Sequence, residues 1–249
     1  MLTVLLVGLF LPLFPLSMVF NQLLARSRHP LPRLLLLMLW PQAGVLLLML
    51  LDTRPPGWVL LWAVLSALLY AFRLLTQREV NSWLGFLATS AWSLLWLPAA
   101  TGYYDSGLLA AAALGFSIPL ALLVLLAAVL EQRFGVAYTH LYAGLATPMP
   151  RFAGLLIFSI LAAIATPVFP AFFTLLDILT LSDPLLAVLI LLVWLLWSWA
   201  GIRLLQGLLV GSAPQTAELQ DIQRSFAGLS VLILAVLAIA GLYATGGMA

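Results

Sequence analysis

The apolar runs of this sequence contain few ionisable side chains. The chemistry that these few side chains suggest is proton transfer. Asp177 lies within one long apolar run and Arg203 toward the end of another. Ionisable groups inside a membrane are costly, so Asp177 could bind a proton, whereas arginine deprotonates poorly and would serve as a counter-ion. His140, in a polar loop, could pass protons near neutral pH. Simpler interpretations stay open: Asp177 near the membrane face or paired with an arginine, Arg203 reaching to the interface, and an incidental His140.

The composition places these residues in a lipid bilayer. Of the 249 residues, 65% are hydrophobic and 7% charged, and the mean hydropathy is +1.19; such values exclude a soluble domain. Apolar runs of helical length recur and alternating strand-length segments do not, which predicts an all-α polytopic membrane protein rather than a barrel. Because the sequence has no cysteine and its two histidines lie in polar loops, we expect no metal centre and no cofactor.

Helices must position the candidate residues, and one of them has to break. The apolar segments are 2–20, 34–51, 58–75, 83–103, 108–130, 152–181, 185–210 and 226–244. We expect 2–20 to be a first span rather than a cleaved signal peptide. Residues 152–181 would extend about 45 Å as one helix, against a hydrocarbon core of about 30 Å. Pro167 and Pro170 lie in its middle, and each removes a backbone donor, which predicts one discontinuous helix or two short spans.

The arginines provide a test of the number of crossings. If 152–181 crosses once, giving eight spans, Arg54 lies alone on one side and every other arginine lies on the opposite side, which is expected to be cytoplasmic. If it crosses twice, giving nine spans, Arg203 and Arg224 change sides. The charge distribution therefore favours eight.

Several motifs around the prolines resemble a known family. The loop "AGLATPMP" (143–150) is followed by the break "ATPVFP" (165–170), and "REVNSWLGF" (78–86) precedes them. Two helices follow, "LVWLLWSWAGIRLLQGLLVG" (192–211) and the helix within 217–243. Together, over roughly 58–243, these resemble the C-terminal half of the antiporter-like, proton-conducting subunits L, M and N of respiratory complex I. The resemblance places a crossing on each side of Pro167, which favours nine spans.

This sequence departs from the family at the residues that carry its function. Where the resemblance places the relay's histidines and glutamate, the sequence has Trp83, Phe116 and Leu175, and the family's buried lysines have no counterpart because the chain has no lysine. The family's subunits also have more helices than this chain can form, so most of their first half is expected to be missing. The tryptophans in 92–96 and 194–199 are interpreted as lipid-facing or interfacial anchors.

The resemblance and these departures together suggest an accessory or structural membrane subunit, with residues 1–57 as an N-terminal two-helix segment and 58–249 as an antiporter-like bundle. Its partners would be the lipid bilayer and a larger membrane subunit, such as a full-length antiporter-like relative, with no nucleic acid. Implied hosts are complex I, hydrogenase or cation-antiporter assemblies, and inorganic-carbon uptake systems, in a bacterial inner membrane. The alternative is an active proton-translocating subunit using Asp177. A membrane-embedded enzyme is disfavoured because the sequence has no catalytic triad and no phosphate-binding loop.

Overall fold

The chain folds into a bundle of helices. The computed structural model describes residues 2–51, 55–102, 104–139, 141–212 and 220–246, without the side chains of 244–246. The helices are α1 (Leu2–Phe10), α2 (Ser17–Arg26), α3 (Pro30–Leu51), α4 (Gly57–Leu74), α5 (Val80–Ser93), α6 (Trp96–Thr101), α7 (Ser106–Phe134), α8 (Pro150–Ala163), α9 (Pro170–Thr180), α10 (Pro184–Leu209) and α11 (Arg224–Gly246). Within these ranges β-structure is limited to one isolated bridge, between Glu79 and Tyr138.

Six helical stretches are long and apolar enough to cross a bilayer. They are α3, α4, the nearly continuous α5–α6, α7, α10 and α11. Helices satisfy their own backbone polar groups, as a hydrocarbon environment requires. Helix α7 and the α5–α6 stretch are largely buried, whereas α3, α10 and α11 expose most of their surface. The predicted polytopic helical membrane protein is confirmed.

The predicted discontinuity at Pro167 and Pro170 is also confirmed. Helix α8 ends at Ala163 and α9 begins at Pro170. With 14 and 11 residues, the two halves extend about 21 Å and about 17 Å, and neither alone spans a core of about 30 Å. The two halves therefore have to share one crossing or lie re-entrant.

Contacts with α7 show that α8 and α9 run in the same direction. Arg133, near the end of α7, contacts Met149 just before α8. Gly115, in the middle of α7, faces Pro170. Tyr104, just before α7, donates a hydrogen bond to Asp177 on α9. The broken pair thus passes along the whole of α7 once. This course of the chain favours eight crossings over nine.

A second break, which the sequence did not lead us to expect, divides the first span between α1 and α2. Pro12 and Pro15 lie in this break. The backbone groups it frees find side-chain partners: Ser93 Oγ donates to the Pro12 carbonyl at 2.6 Å, and Ser66 Oγ accepts from the Phe14 amide at 3.0 Å. Side chains of α4 and α5 thus stabilise a break that would otherwise leave unpaired polar groups in the membrane.

One end of the bundle, which we call the arginine-rich face, collects the positive charge. It consists of the ends of α2, α4, α7 and α10 and the starts of α3, α5, α8 and α11, and every arginine of the described residues lies at or near it. Hydrogen bonds join its parts, such as Thr139 N to the Arg78 carbonyl at 2.8 Å. Arg54 lies outside the described residues. The arrangement expected for eight crossings is therefore the one observed.

Candidate functional site

A buried ion pair ties three helices together at the arginine-rich face. Arg33 Nη1, in the first turn of α3, donates to both carboxylate oxygens of Glu131 near the end of α7, at 2.9 Å. Asn81, on α5, donates to Glu131 Oε1 at 2.6 Å and accepts from Arg33 Nη1 at 3.0 Å. The Arg33 side chain is 8% exposed and that of Glu131 24%. Each member of this cluster is thus bonded to the other two.

The sequence does not predict this cluster, because Arg33 contributes there only to the count of charges outside the membrane and nothing local links it to Glu131. The pair is 98 residues apart in sequence. One signal could have found it: both residues lie at segment ends that the arginine count assigns to the same side of the membrane. Because its charges are matched and hydrogen-bonded, the cluster can hold α3, α5 and α7 together.

Neutral polar residues continue from this cluster into the bundle. A cavity of about 230 Å³ is lined by Arg33, Asn81, Asn21 and Tyr70, among others. Deeper, Asn21 Nδ2 donates to Thr89 Oγ1 at 3.0 Å, and the hydroxyls of Ser17 and Tyr70 lie 2.8 Å apart. Hydroxyl and amide groups can orient water, but they do not change charge near neutral pH. The residues that lead inward are therefore poor stores for a proton.

The positions at which the resemblance places the family's relay lie inside the bundle. Trp83 and Phe116 are each 1% exposed and Leu175 is 0% exposed. Phe116 packs edge-on against the ring of Trp197, with centroids 6.2 Å apart. These side chains occupy interior space with groups that hold no titratable proton. The indole Nε1 of Trp83 is buried and has no hydrogen-bond partner among the described residues.

Most of the tryptophans expected to face lipid are instead buried. Trp92, Trp96 and Trp197 are 0–1% exposed. Their indole N–H groups donate inside the bundle, Trp197 to Ser90 Oγ at 2.9 Å and Trp96 to a backbone carbonyl at 2.9 Å. The prediction of anchors is therefore wrong for these three, because serine hydroxyls and freed carbonyls provide internal acceptors. Trp199, 57% exposed, does face outward.

The break between α8 and α9 is held by specific contacts. Ala165 and Val168 have φ angles of 56° and 91°, a left-handed region that is unfavourable for residues with a β-carbon. Trp194 Nε1 donates to the Ile164 carbonyl at 3.2 Å. Gly241 of α11 packs so closely on the break that a β-carbon there would overlap the Val168 carbonyl oxygen. The strained backbone persists because neighbouring helices fix it.

Asp177 and Arg203, two of the predicted proton-relay candidates, are not brought together. Asp177 is half-buried on α9, where Tyr104 OH donates to its Oδ2 at 2.8 Å. It lines a cavity of about 540 Å³ between α7, α9 and α11 at the end opposite the arginine-rich face. Arg203 is exposed at the arginine-rich face and donates to the Leu75 carbonyl at 3.1 Å. His140 lies outside the described residues.

The fold is shared with membrane chains of several large complexes. A chain of respiratory complex I from Thermus thermophilus, solved with bound NADH, superimposes with a TM-score of 0.79 and 24% identity over 96% of this chain and 54% of that chain. A chain of the Mrp complex from a Dietzia species gives 0.79 and 14%, over 96% and 55%. A chain of the membrane-bound sulfane sulfur reductase, an archaeal respiratory membrane complex, gives 0.81 and 17%, over 96% and 51%.

These likenesses confirm the fold that the loop and proline motifs predicted. The chain spans about half the length of the chains it resembles. No protein-family model matches the sequence, and a comparison with curated proteins gives no match. At these identities the likeness establishes the architecture, and the function has to be argued from the site.

Proposed function

We propose that this chain is an accessory or structural membrane subunit of an ion-coupled membrane complex, and that it does not itself conduct protons. The observation that supports this most is the content of the bundle interior. Among the described residues, Arg33 is the one charged residue that is buried. Glu131 neutralises its charge at the arginine-rich face. The relay positions deeper in the bundle hold the apolar or non-titrating side chains of Trp83, Phe116 and Leu175.

Proton transfer across a bilayer needs groups that change charge at intervals short enough for waters to bridge. In the described part of the chain, the charged residues at the two ends of the bundle lie too far apart for that. Asp177 is bonded to Tyr104, just before α7 begins, and Glu131 lies near the end of α7. Helix α7 begins at Ser106, close to Tyr104, and Glu131 lies 25 residues further along it. At the rise of an α-helix this is about 38 Å, which approximates the distance between the Asp177 end and the Glu131 end of the bundle. Among the described residues, no Asp, Glu, His or Arg side chain is buried between these ends, and the buried Tyr70 hydroxyl does not change charge near neutral pH.

A subunit without its own relay would contribute shape and contacts to a larger assembly. Large apolar side chains are exposed along α3, α10 and α11, for example Leu39, Leu195 and Ile239 at 60–65%, and such surfaces suit lipid or a neighbouring helix. The fold likeness favours a host of the complex I, Mrp or respiratory-reductase type. We place the chain in a bacterial inner membrane, with the arginine-rich face cytoplasmic.

Purification from native membranes tests the assignment as a subunit. The full tagged chain, extracted in mild detergent, is expected to migrate on a native gel as part of an assembly much larger than 27 kDa. Mass spectrometry of that band should identify a second polytopic membrane protein in stoichiometric amount. A chain that migrates alone under conditions that keep other membrane complexes intact would contradict the proposal.

The alternative, an active proton-translocating subunit, has one specific observation in its favour. Asp177 lines a cavity on the face opposite the arginines, next to Thr174 and the break residue Pro170. A carboxylate in that position could receive protons through a half-channel that a partner completes. Asp177→Asn separates the two functions: the accessory role predicts unchanged proton-coupled activity of the intact complex, and the alternative predicts its loss. Asp183→Asn, at an exposed carboxylate on the same face, is the matched control.

A further inference from the structure

A second polar cavity opens at the arginine-rich face, between α4, α5 and α10. Its volume is about 390 Å³. Arg78, Arg203 and Thr139 line it together with Trp83, and none of its lining residues carries a carboxylate. The local charge of the cavity wall is therefore positive.

Trp83 lines the cavity and also carries a buried hydrogen-bond donor. The side chain is 1% exposed, and its Nε1 has no hydrogen-bond partner among the described residues. An indole N–H donates and cannot accept, and buried donors are almost always paired in folded proteins because an unpaired one is costly. The wall of the cavity thus includes a residue whose own polar group is unpaired among the described residues.

The two arginines supply donors at the mouth of the cavity. Both are exposed, and Arg203 uses one N–H on the Leu75 carbonyl, which leaves other guanidinium N–H groups available. A guanidinium group has five donors arranged to match the oxygens of a phosphate or carboxylate. The Thr139 hydroxyl donates to the Arg78 carbonyl at 3.2 Å and so helps to position the backbone at Arg78.

The surroundings of the cavity favour a phosphate that belongs to a lipid. Large apolar side chains lie on the outside of the bundle close to the cavity. Phe72, two residues before the lining residue Leu74, is 63% exposed, and Ile202, next to the lining residue Arg203, is 52% exposed. Acyl chains can lie against such side chains while a headgroup reaches the cavity. Basic pockets between transmembrane helices at the cytoplasmic side bind the headgroups of anionic lipids.

We propose that this cavity binds a phosphate-type oxyanion through Arg78 and Arg203, with the headgroup of an anionic phospholipid as the favoured source. The site does not depend on the accessory role proposed above. It would fix α4, α5 and α10 to one another through a bound lipid, at a face where the α4–α5 loop and the α10 end already meet.

Native mass spectrometry of the full chain in detergent tests this site. Phosphatidylglycerol, phosphatidylcholine and inorganic phosphate are titrated separately. Phosphatidylglycerol is expected to bind at least tenfold more tightly than phosphatidylcholine. Arg203→Gln and Arg78→Gln should each weaken it about tenfold. Arg28→Gln, an exposed arginine of the same face outside the cavity, is the control and should leave binding unchanged.

The same titrations identify the source of the anion. Binding of inorganic phosphate that Arg203→Gln abolishes, without a preference for phosphatidylglycerol, would support the site with a free anion as its ligand. Equal binding of the two lipids together with no binding of phosphate would overturn the proposal. So would an equal loss of phosphatidylglycerol binding in Arg28→Gln and Arg203→Gln, because it would show attraction to the whole face rather than to the cavity.

Discussion

Removal of the Glu131 carboxylate should destabilise the bundle more than any comparable change at the arginine-rich face. In Glu131→Ala, Arg33 would remain buried at 7% exposure without its counter-ion. It would keep two acceptors, the Ser27 carbonyl at 2.6 Å and Asn81 Oδ1 at 3.0 Å. The Asn81 side-chain amide, which donates to Glu131 Oε1, would lose that acceptor. An uncompensated charge and an unpaired donor would then lie between α3, α5 and α7.

The size of the effect follows from the exposure of the pair. Breaking a buried ion pair by removing one partner costs about 3–5 kcal/mol. Because the Glu131 side chain is 24% exposed and Arg33 keeps two acceptors, we expect a loss near the lower end, about 3 kcal/mol. For a chain of this length that corresponds to a midpoint lower by about 6–12 °C. Replacing both partners, in Arg33→Met with Glu131→Leu, should restore stability to within about 1 kcal/mol.

Thiol labelling measures the effect directly, because the sequence has no cysteine. A single cysteine at the fully buried Ala88 reacts with a fluorogenic maleimide only when the bundle opens, so heating the detergent-solubilised protein reports its unfolding midpoint. Arg28→Met, at an exposed arginine of the same face, is the control and should shift the midpoint little. The reasoning would be refuted if Glu131→Ala behaved like this control, or if the double variant were as unstable as the sum of its single variants.

The other predictions concern the broken helix and its topology. Gly241→Ala should cost about 1–3 kcal/mol because the new methyl group would overlap the Val168 carbonyl. Gly228→Ala, on the same helix with no heavy atom within 4 Å of the new methyl, should be neutral or stabilising by up to about 1 kcal/mol; equal effects at the two sites would contradict the close packing at the break. With one crossing over α8 and α9, single cysteines at Thr147 and Ser182 should be labelled by a membrane-impermeant maleimide from opposite sides of the membrane. Labelling of both from one side would mean two crossings.

The architecture could be predicted because its signals are local. Hydropathy marks each long helix, and a proline in an apolar run removes a donor wherever the helix lies. The break at Pro167 and Pro170 was therefore predictable, and the arginines favoured the eight crossings that the contacts of α8 and α9 with α7 also favour. The family motifs favoured nine, because they gave the position of the break and not the direction of the chain after it.

The interior contacts could not be predicted, because lipid and protein core are equally apolar. In a soluble helix the polar face identifies the surface, but a membrane helix can be apolar on every side. Hydropathy therefore could not separate the buried Trp92 and Trp197 from the exposed Trp199. The break between α1 and α2 depends on Ser66 and Ser93, more than fifty residues away in sequence, so no local pattern predicts how its backbone groups are satisfied.

The proposal that the interior lacks a proton relay is tested most directly by proton flux through the isolated chain. The purified protein, reconstituted into liposomes with a fluorescent pH indicator inside, is subjected to an imposed pH gradient under a potassium–valinomycin clamp. Our account predicts that the gradient decays as slowly as in protein-free liposomes and collapses only when a protonophore is added. Dissipation of the gradient in proportion to the amount of reconstituted protein would contradict it.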